Sequence, residues 1–199
     1  MNQKTRSKHV KNKAAMKAII DDFRSKTKIA VQKPTKAAKK SEEWIKVQMK
    51  RVKYHRVARM QVGKIYMFGY DAKYKDKLPY WDRYPLVVCI GVSGKHMLGL
   101  NLHYIPPAAR AKFLENLLRY ANTKLISNNT RLRIDWSKVK AFRGAHHMIK
   151  MYLASHVRMG MMEVNPRDWH NVIWLQTQQF EAKGRRISAV RVYNDYSRR

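Results

Sequence analysis

Acidic side chains are scarce in this sequence. Only 13 Asp and Glu stand against 43 Lys and Arg in 199 residues, a formal net charge of +30. A folded chain so unbalanced repels itself unless counter-ions or a polyanion neutralise it. The same scarcity leaves little from which to build a metal-dependent cleavage centre, which needs two or more carboxylates converging on a divalent cation. Asp71, Asp76 and Asp82 form the only acidic cluster in a loop. Asp21-Asp22 and Glu42-Glu43 are adjacent pairs at helix positions, where a dipole or solubility role suffices. Cysteine is almost absent: Cys89 stands alone inside the apolar run Leu86–Ile90. It can form no internal disulfide and reads as a small buried hydrophobe, so nothing calls for an oxidising compartment. Long apolar runs are missing too, since no window approaches the roughly 18 residues of a membrane span. Met1–Lys13 is basic and polar, without the apolar stretch of a signal peptide. The expected location is the cytosol, or a particle assembled from it. There is no glycine-rich phosphate loop, nucleophile elbow or hydrolytic His–Glu pair. His146, His147, His156 and His170 lack zinc-ligand spacing and read as surface or capping histidines. No catalytic, metal or cofactor residues are therefore expected, and no small-molecule substrate.

What is present is material for a core and a large excess of positive charge. Hydrophobic residues make up 45% of the chain, with five Trp and eleven Tyr, which is not the composition of a disordered polypeptide. Eleven Met suggest adaptable packing. Nucleic acid is the first partner to expect, because each neutralised phosphate releases a counter-ion; an anionic membrane or an acidic protein is the alternative. The charge is uneven. Residues 1–60 carry 19 Lys/Arg and 4 acids, residues 183–199 carry 6 and 1, and residues 61–182 carry 18 and 8. This divides the chain into a basic helical arm (1–60), an α+β core (61–182) and an extended basic tail (183–199).

The arm predicts two helices. In Asn12–Phe23, Ala15, Ile19 and Phe23 recur at the spacing of one helical stripe. After a break at Pro34, a second helix is expected over 41–59, with acids in its first turn. The basic side chains Lys4, Arg6, Lys8, Lys11, Lys13, Lys17, Lys36, Lys39, Lys40, Lys46, Lys50, Arg51, Lys53, Arg56 and Arg59 mark the arm as the candidate phosphate-binding segment. Lys outnumbers Arg there by fourteen to five, which favours sequence-independent contact, since Arg makes the bidentate base contacts.

In the core, Gly63–Tyr70 and Tyr84–Val92 read as strands. Met97–Ile105 reads as a third, with Leu98, Leu100, Leu102 and Tyr104 facing in and Gly99, Asn101 and His103 facing out. Pro106-Pro107 opens a helix over 108–120. Short helices are expected over 136–142 and 146–156, a last strand over 161–164, and a longer helix over 167–182. Strands before helices suggest a small antiparallel SH3-like sheet or partial barrel with helical insertions. Loop 73–85 interleaves Lys73, Lys75 and Lys77 with Tyr74, Tyr80, Trp81 and Tyr84. Such mixtures suit exposed bases and phosphates, although aromatic residues beside proline more often anchor a core. Arg185, Arg186, Arg198 and Arg199 of the tail complete the candidate nucleic-acid-binding residues.

The stretches GKIYMFGYDAKYKDKLPYWDRYPLVV (63–88) and LGLNLHYIPPAARAKFLENLL (98–118) resemble a core shared by virion proteins of T-even-type contractile-tailed phages. In that family "YDPK…KLPYYDxFPLV" precedes "GLNLHYLPP". RDWHNVIWLQTQQFEA (167–182) is similar to the family's "EWDxAxFLPVExFxKA", so the resemblance covers roughly residues 60–182. Ala72 stands where the pattern has Pro, and Trp81 where it has Tyr. The resemblance implies a structural, DNA-contacting role in the virion, in head completion or the tail interior, that caps or protects the ends of packaged DNA. Other virion proteins would be its neighbours. A baseplate or tail-hub component and a ribosome-associated RNA-binding protein are the alternatives.

Overall fold

Leu86, Val87, Val88 and Cys89 are apolar at successive positions because the sheet they enter is covered on both faces. The computed structural model describes residues 14, 17–28, 43, 47, 60–119, 121, 129–132, 134, 136–142, 144–158 and 160–197. Strands β1 (Ile65–Met67), β3 (Leu86–Ser93), β4 (His96–Asn101), β5 (Ile149–Leu153) and β6 (Met162–Val164) form one antiparallel sheet in the order β5-β4-β3-β1-β6. Strands β2 (Trp81–Asp82), β7 (Phe180–Ala182) and β8 (Arg185–Ile187) form a second, in the order β2-β7-β8. The fold is α+β, as expected. Among the described residues no pairing closes an SH3-like barrel: β5 and β6 are the two edges of a five-stranded sheet.

Strand side chains alternate between faces, and here each face meets a different core. Leu86 and Val88 pack with Ile65, Met67 and Leu100 against helix residues. Val87 and Cys89 point the other way, into an aromatic cluster of Tyr66, Phe68, Tyr70, Trp81 and Tyr152. Between β3 and β4 the register slips after Cys89, so that Cys89 faces Gly99 while Gly91 faces Leu98. A side chain at Gly99 would place its Cβ 2.1 Å from Val87 Cγ1, so the close approach of the two strands requires glycine.

Helix α1 (17–28) buries Phe23 in the aliphatic core, and Arg24 Nε donates to Glu115 Oε1 at 3.2 Å. Helix α2 (Pro107–Leu118) starts on proline as expected and buries Phe113, Leu114, Leu117 and Leu118. Helices α3 (Trp136–Ala141), α4 (Ala145–Met148), α5 (Trp169–Val172) and α6 (Ala189–Ser197) complete the described helices. The second arm helix, expected over 41–59, lies outside the described residues except at 43 and 47, both helical.

Four expectations are corrected. The third strand stops at Asn101 and turns into a 3-10 helix, Leu102–Tyr104, where Asn101 and His103 are buried rather than outward-facing. The helix expected over 146–156 is four residues of α4 followed by β5, which pairs with β4 from Leu100↔Ile149 to His96↔Leu153. The helix expected over 167–182 ends at Val172, and its last residues form β7. The tail is not extended: it forms β8 and α6. Tyr196 lies over Gly144, where a Cβ would meet its ring at 2.1 Å, and Val192 is buried in the core.

Candidate functional site

Loop 71–80 is rooted at both ends and open at its tip. Tyr70 N–H donates to Arg83 O at 2.8 Å, Asp71 N–H to His156 O at 2.9 Å and Arg158 N–H to Gly69 O at 2.9 Å. The Asp71 carboxylate pairs with Lys75 and with Arg158, the latter at 3.1 Å. The Lys75 hydrogen bond, more than any other influence, holds that carboxyl below its ordinary pKa. At the tip the loop turns on Tyr74, whose carbonyl accepts from Lys77 and Leu78 N–H. Each lysine of the tip stands over a ring: Lys73 and Lys77 over Tyr74 at 5.2 and 5.9 Å, Lys75 over Trp81 at 5.7 Å. Such contacts keep an ammonium near an aromatic face while leaving it accessible to an anion.

The loop overhangs a cavity of about 730 Å³ whose opposite wall is edge strand β5. Tyr70, Trp81 and Tyr152 line it from the aromatic core, and Tyr74, Tyr80 and Tyr104 add further rings. Tyr70 and Tyr152 meet edge to face at 4.9 Å, and Tyr80 lies 5.7 Å from Tyr104 at a tilt of 32°. Lys150, on β5, enters this space and holds its Nζ 4.3 Å from the centre of the Tyr104 ring. Burial draws its pKa down to about 8, and no ion pair to a carboxylate offsets that burial among the described residues.

Beneath the cavity, Asp82 is buried and fully engaged. Its Oδ2 accepts from Asn101 Nδ2 at 3.2 Å and lies 2.8 Å from His103 Nδ1. Its Oδ1 accepts from the N–H groups of Tyr84 at 3.1 Å and Gln179 at 3.2 Å. These bonds join β2 to the end of β4 and to the approach of β7, and they explain why Asn101 and His103 turn inward. Burial lowers the His103 pKa although Asp82 opposes that shift, so the imidazole stays neutral near pH 7. Burial likewise pushes the Cys89 thiol up to about 11, far from a thiolate. Behind this network, buried Arg110 donates to the carbonyls of Ile105 (2.9 Å), Ile173 (3.2 Å) and Leu175 (3.0 Å) and to the Tyr193 hydroxyl (2.8 Å). Among the described residues no three His, Cys, Asp or Glu side chains gather as a metal set. The cavity offers rings and ammonium groups, which suit a flat aromatic ligand carrying an anionic group.

Of the candidate binding residues, Lys73, Lys75 and Lys77 come together on the loop, and Lys73 lines the cavity. Lys17 is exposed on α1, and Arg185 and Arg186 are exposed on β8; none of the three lines the cavity. Lys4, Arg6, Lys8, Lys11, Lys13, Lys36, Lys39, Lys40, Lys46, Lys50, Arg51, Lys53, Arg56, Arg59, Arg198 and Arg199 lie outside the described residues. Sequence reasoning missed Lys150, because a lysine inside an expected helix gives no sign of facing a cavity. The alternation of Lys150 and Tyr152 around exposed Met151 was the available signal.

These features define a class: a basic α+β protein with an open sheet and an aromatic, lysine-bearing cavity under a rooted loop. No curated protein and no solved structure matches the chain. The chain belongs to the family of the phage T4 terminal DNA protecting protein, whose model matches residues 1–196. The resemblance to T-even-type phage proteins read over 60–182 thus extends through the N-terminal segment as well.

Proposed function

We propose that this chain binds the ends of linear phage DNA and shields them, as a non-enzymatic component of the virion. Family membership over residues 1–196 is the observation that carries this reading. The +30 charge supports it, since phosphate neutralisation supplies most of the affinity of sequence-independent DNA binding. The basic N-terminal segment supplies most of the phosphate contacts, and the lysines of loop 71–80 add to them. The protein acts where packaged DNA ends, in head completion or the tail interior, with other virion proteins as neighbours. The family favours this over a baseplate or tail-hub component and over a ribosome-associated RNA-binding protein.

The test is binding to linear duplex and to closed circles of the same sequence, combined with digestion of the linear form by an exonuclease. End preference, exonuclease protection and a steep fall of affinity with salt are expected. Replacing Lys73, Lys75 and Lys77 together by Ala lowers the slope of log affinity against log salt by about 2, since Lys75 is already paired with Asp71. Equal affinity for circles and linear DNA, with no protection, refutes the reading.

A further inference from the structure

The cavity under loop 71–80 combines aromatic lining with an ammonium that no carboxylate among the described residues neutralises. Resting on the DNA-end reading above, we propose that this cavity receives one unpaired terminal nucleotide of a DNA strand, its base against the tyrosine rings and its phosphate at Lys150 and Lys73.

Size selects a single nucleotide over a duplex end. A cavity of 730 Å³ measures about 9 Å on a side, whereas the major groove alone of a duplex is about 12 Å wide. Volumes of roughly 300–1,000 Å³ are those of small-molecule pockets, the size class of a nucleotide. Charge selects an anion. Lys150 is partly withdrawn from water with the Tyr104 ring against its ammonium and no carboxylate partner among the described residues, so an arriving phosphate supplies the counter-charge that burial calls for. Two acids also line the cavity: Asp82 is consumed by four hydrogen-bond partners from the protein, and Asp195 forms no ion pair with Lys150. The mouth selects an aromatic group. Tyr74 is 52% exposed and Met151 64% exposed at its rim, apolar surface left in water where a base would cover it.

The same geometry accounts for preference for an end. An interior nucleotide must give up two stacking neighbours to leave the helix, a terminal one only one. Protein rings that replace a single stack therefore suffice at an end and fall short elsewhere.

The full chain is titrated with three duplexes of one sequence: blunt linear, linear with a single unpaired terminal nucleotide, and closed circular. Tyr74→Ala and Lys150→Met are titrated alongside, with thermal melts to verify folding. Tyr74 is half-exposed, so its variant keeps the fold even if Lys150→Met does not. The wild type is expected to bind the unpaired terminus about ten-fold more tightly than the blunt one, and each variant to lose most of that difference. A wild type that prefers linear over circular DNA but ignores the unpaired nucleotide overturns the cavity proposal and leaves end binding intact. So does a preference that survives Tyr74→Ala. A wild type that does not distinguish linear from circular DNA overturns both.

Discussion

Arg110 and Lys150 are both cations drawn out of water, and the fold treats them in opposite ways. Arg110 sits behind the aliphatic core with three carbonyls and a tyrosine hydroxyl on its guanidinium. Lys150 stands on the aromatic side of the sheet, its ammonium over one ring and open to a cavity. A buried charge costs several kcal/mol unless its donors are met. The first cation therefore belongs to the architecture, which is built around it. The second is left without a carboxylate partner among the described residues, where the proposed phosphate would stand. The two sides of one five-stranded sheet thus divide the work: one is sealed, the other is left incomplete.

The sharpest way to break this comparison is to replace each cation by Met and measure urea unfolding. Arg110→Met strands three carbonyls and is expected to cost about 4 kcal/mol. Lys150→Met is expected to leave stability unchanged or raise it by about 1 kcal/mol, because a partly buried charge with no carboxylate partner among the described residues is removed. Equal losses from the two would abolish the distinction. A smaller effect tests the aromatic side from within. Gly99→Ala drives a methyl group into Val87, on the face shared with Cys89 and Tyr152, and is expected to cost about 2 kcal/mol. Its near-ultraviolet dichroism should change while helix content does not; an unperturbed aromatic spectrum would mean the strands can part without disturbing that face.

The mildest test uses pH. The folded pKa of His103 lies below that of an unfolded histidine, near 6.5. Below that pH the unfolded chain binds the proton and the folded one does not. The contribution of this group is therefore fully present well above pH 6.5 and is lost as pH drops below it, by at most about 1.4 kcal/mol per unit. His103→Asn, whose amide can still donate to Asp82, should be less stable at pH 7 but shallower in its decline between pH 7 and 5. An unchanged decline in urea midpoints would show that other groups control the acid limb.

Much of the scaffold was legible in the residues. The run at 86–92, the Gly63–Tyr70 stretch and the double proline before α2 each encode their element locally, by apolar content or by a fixed backbone angle. What escaped was decided by distant partners. Met148, Ile149, Tyr152 and Leu153 fall at helical spacing, yet pairing with β4 takes 149–153 into the sheet. The helix expected to continue past Val172 does not, and the carbonyls of Ile173 and Leu175 accept from Arg110, a partner 63 and 65 residues away that no local pattern announces. Loop 73–85 held both of its possible meanings: Trp81 is a core anchor and Tyr74 is exposed. The cavity was illegible because Lys150 joins the loop only through a strand whose existence the sequence did not announce.

The Arg110 bonds also impose an order in time. The hydroxyl of Tyr193 follows the guanidinium by 83 residues, and the carbonyl of Leu175 by 65. At roughly 5–20 residues per second of synthesis, the arginine waits several seconds for its last partner. Until residues 189–197 exist, α2 cannot bury that side chain without leaving it short of acceptors. The last of the four acceptors on this guanidinium therefore arrives only with the C-terminal helix, which ties the completion of the central helix's burial to the end of synthesis.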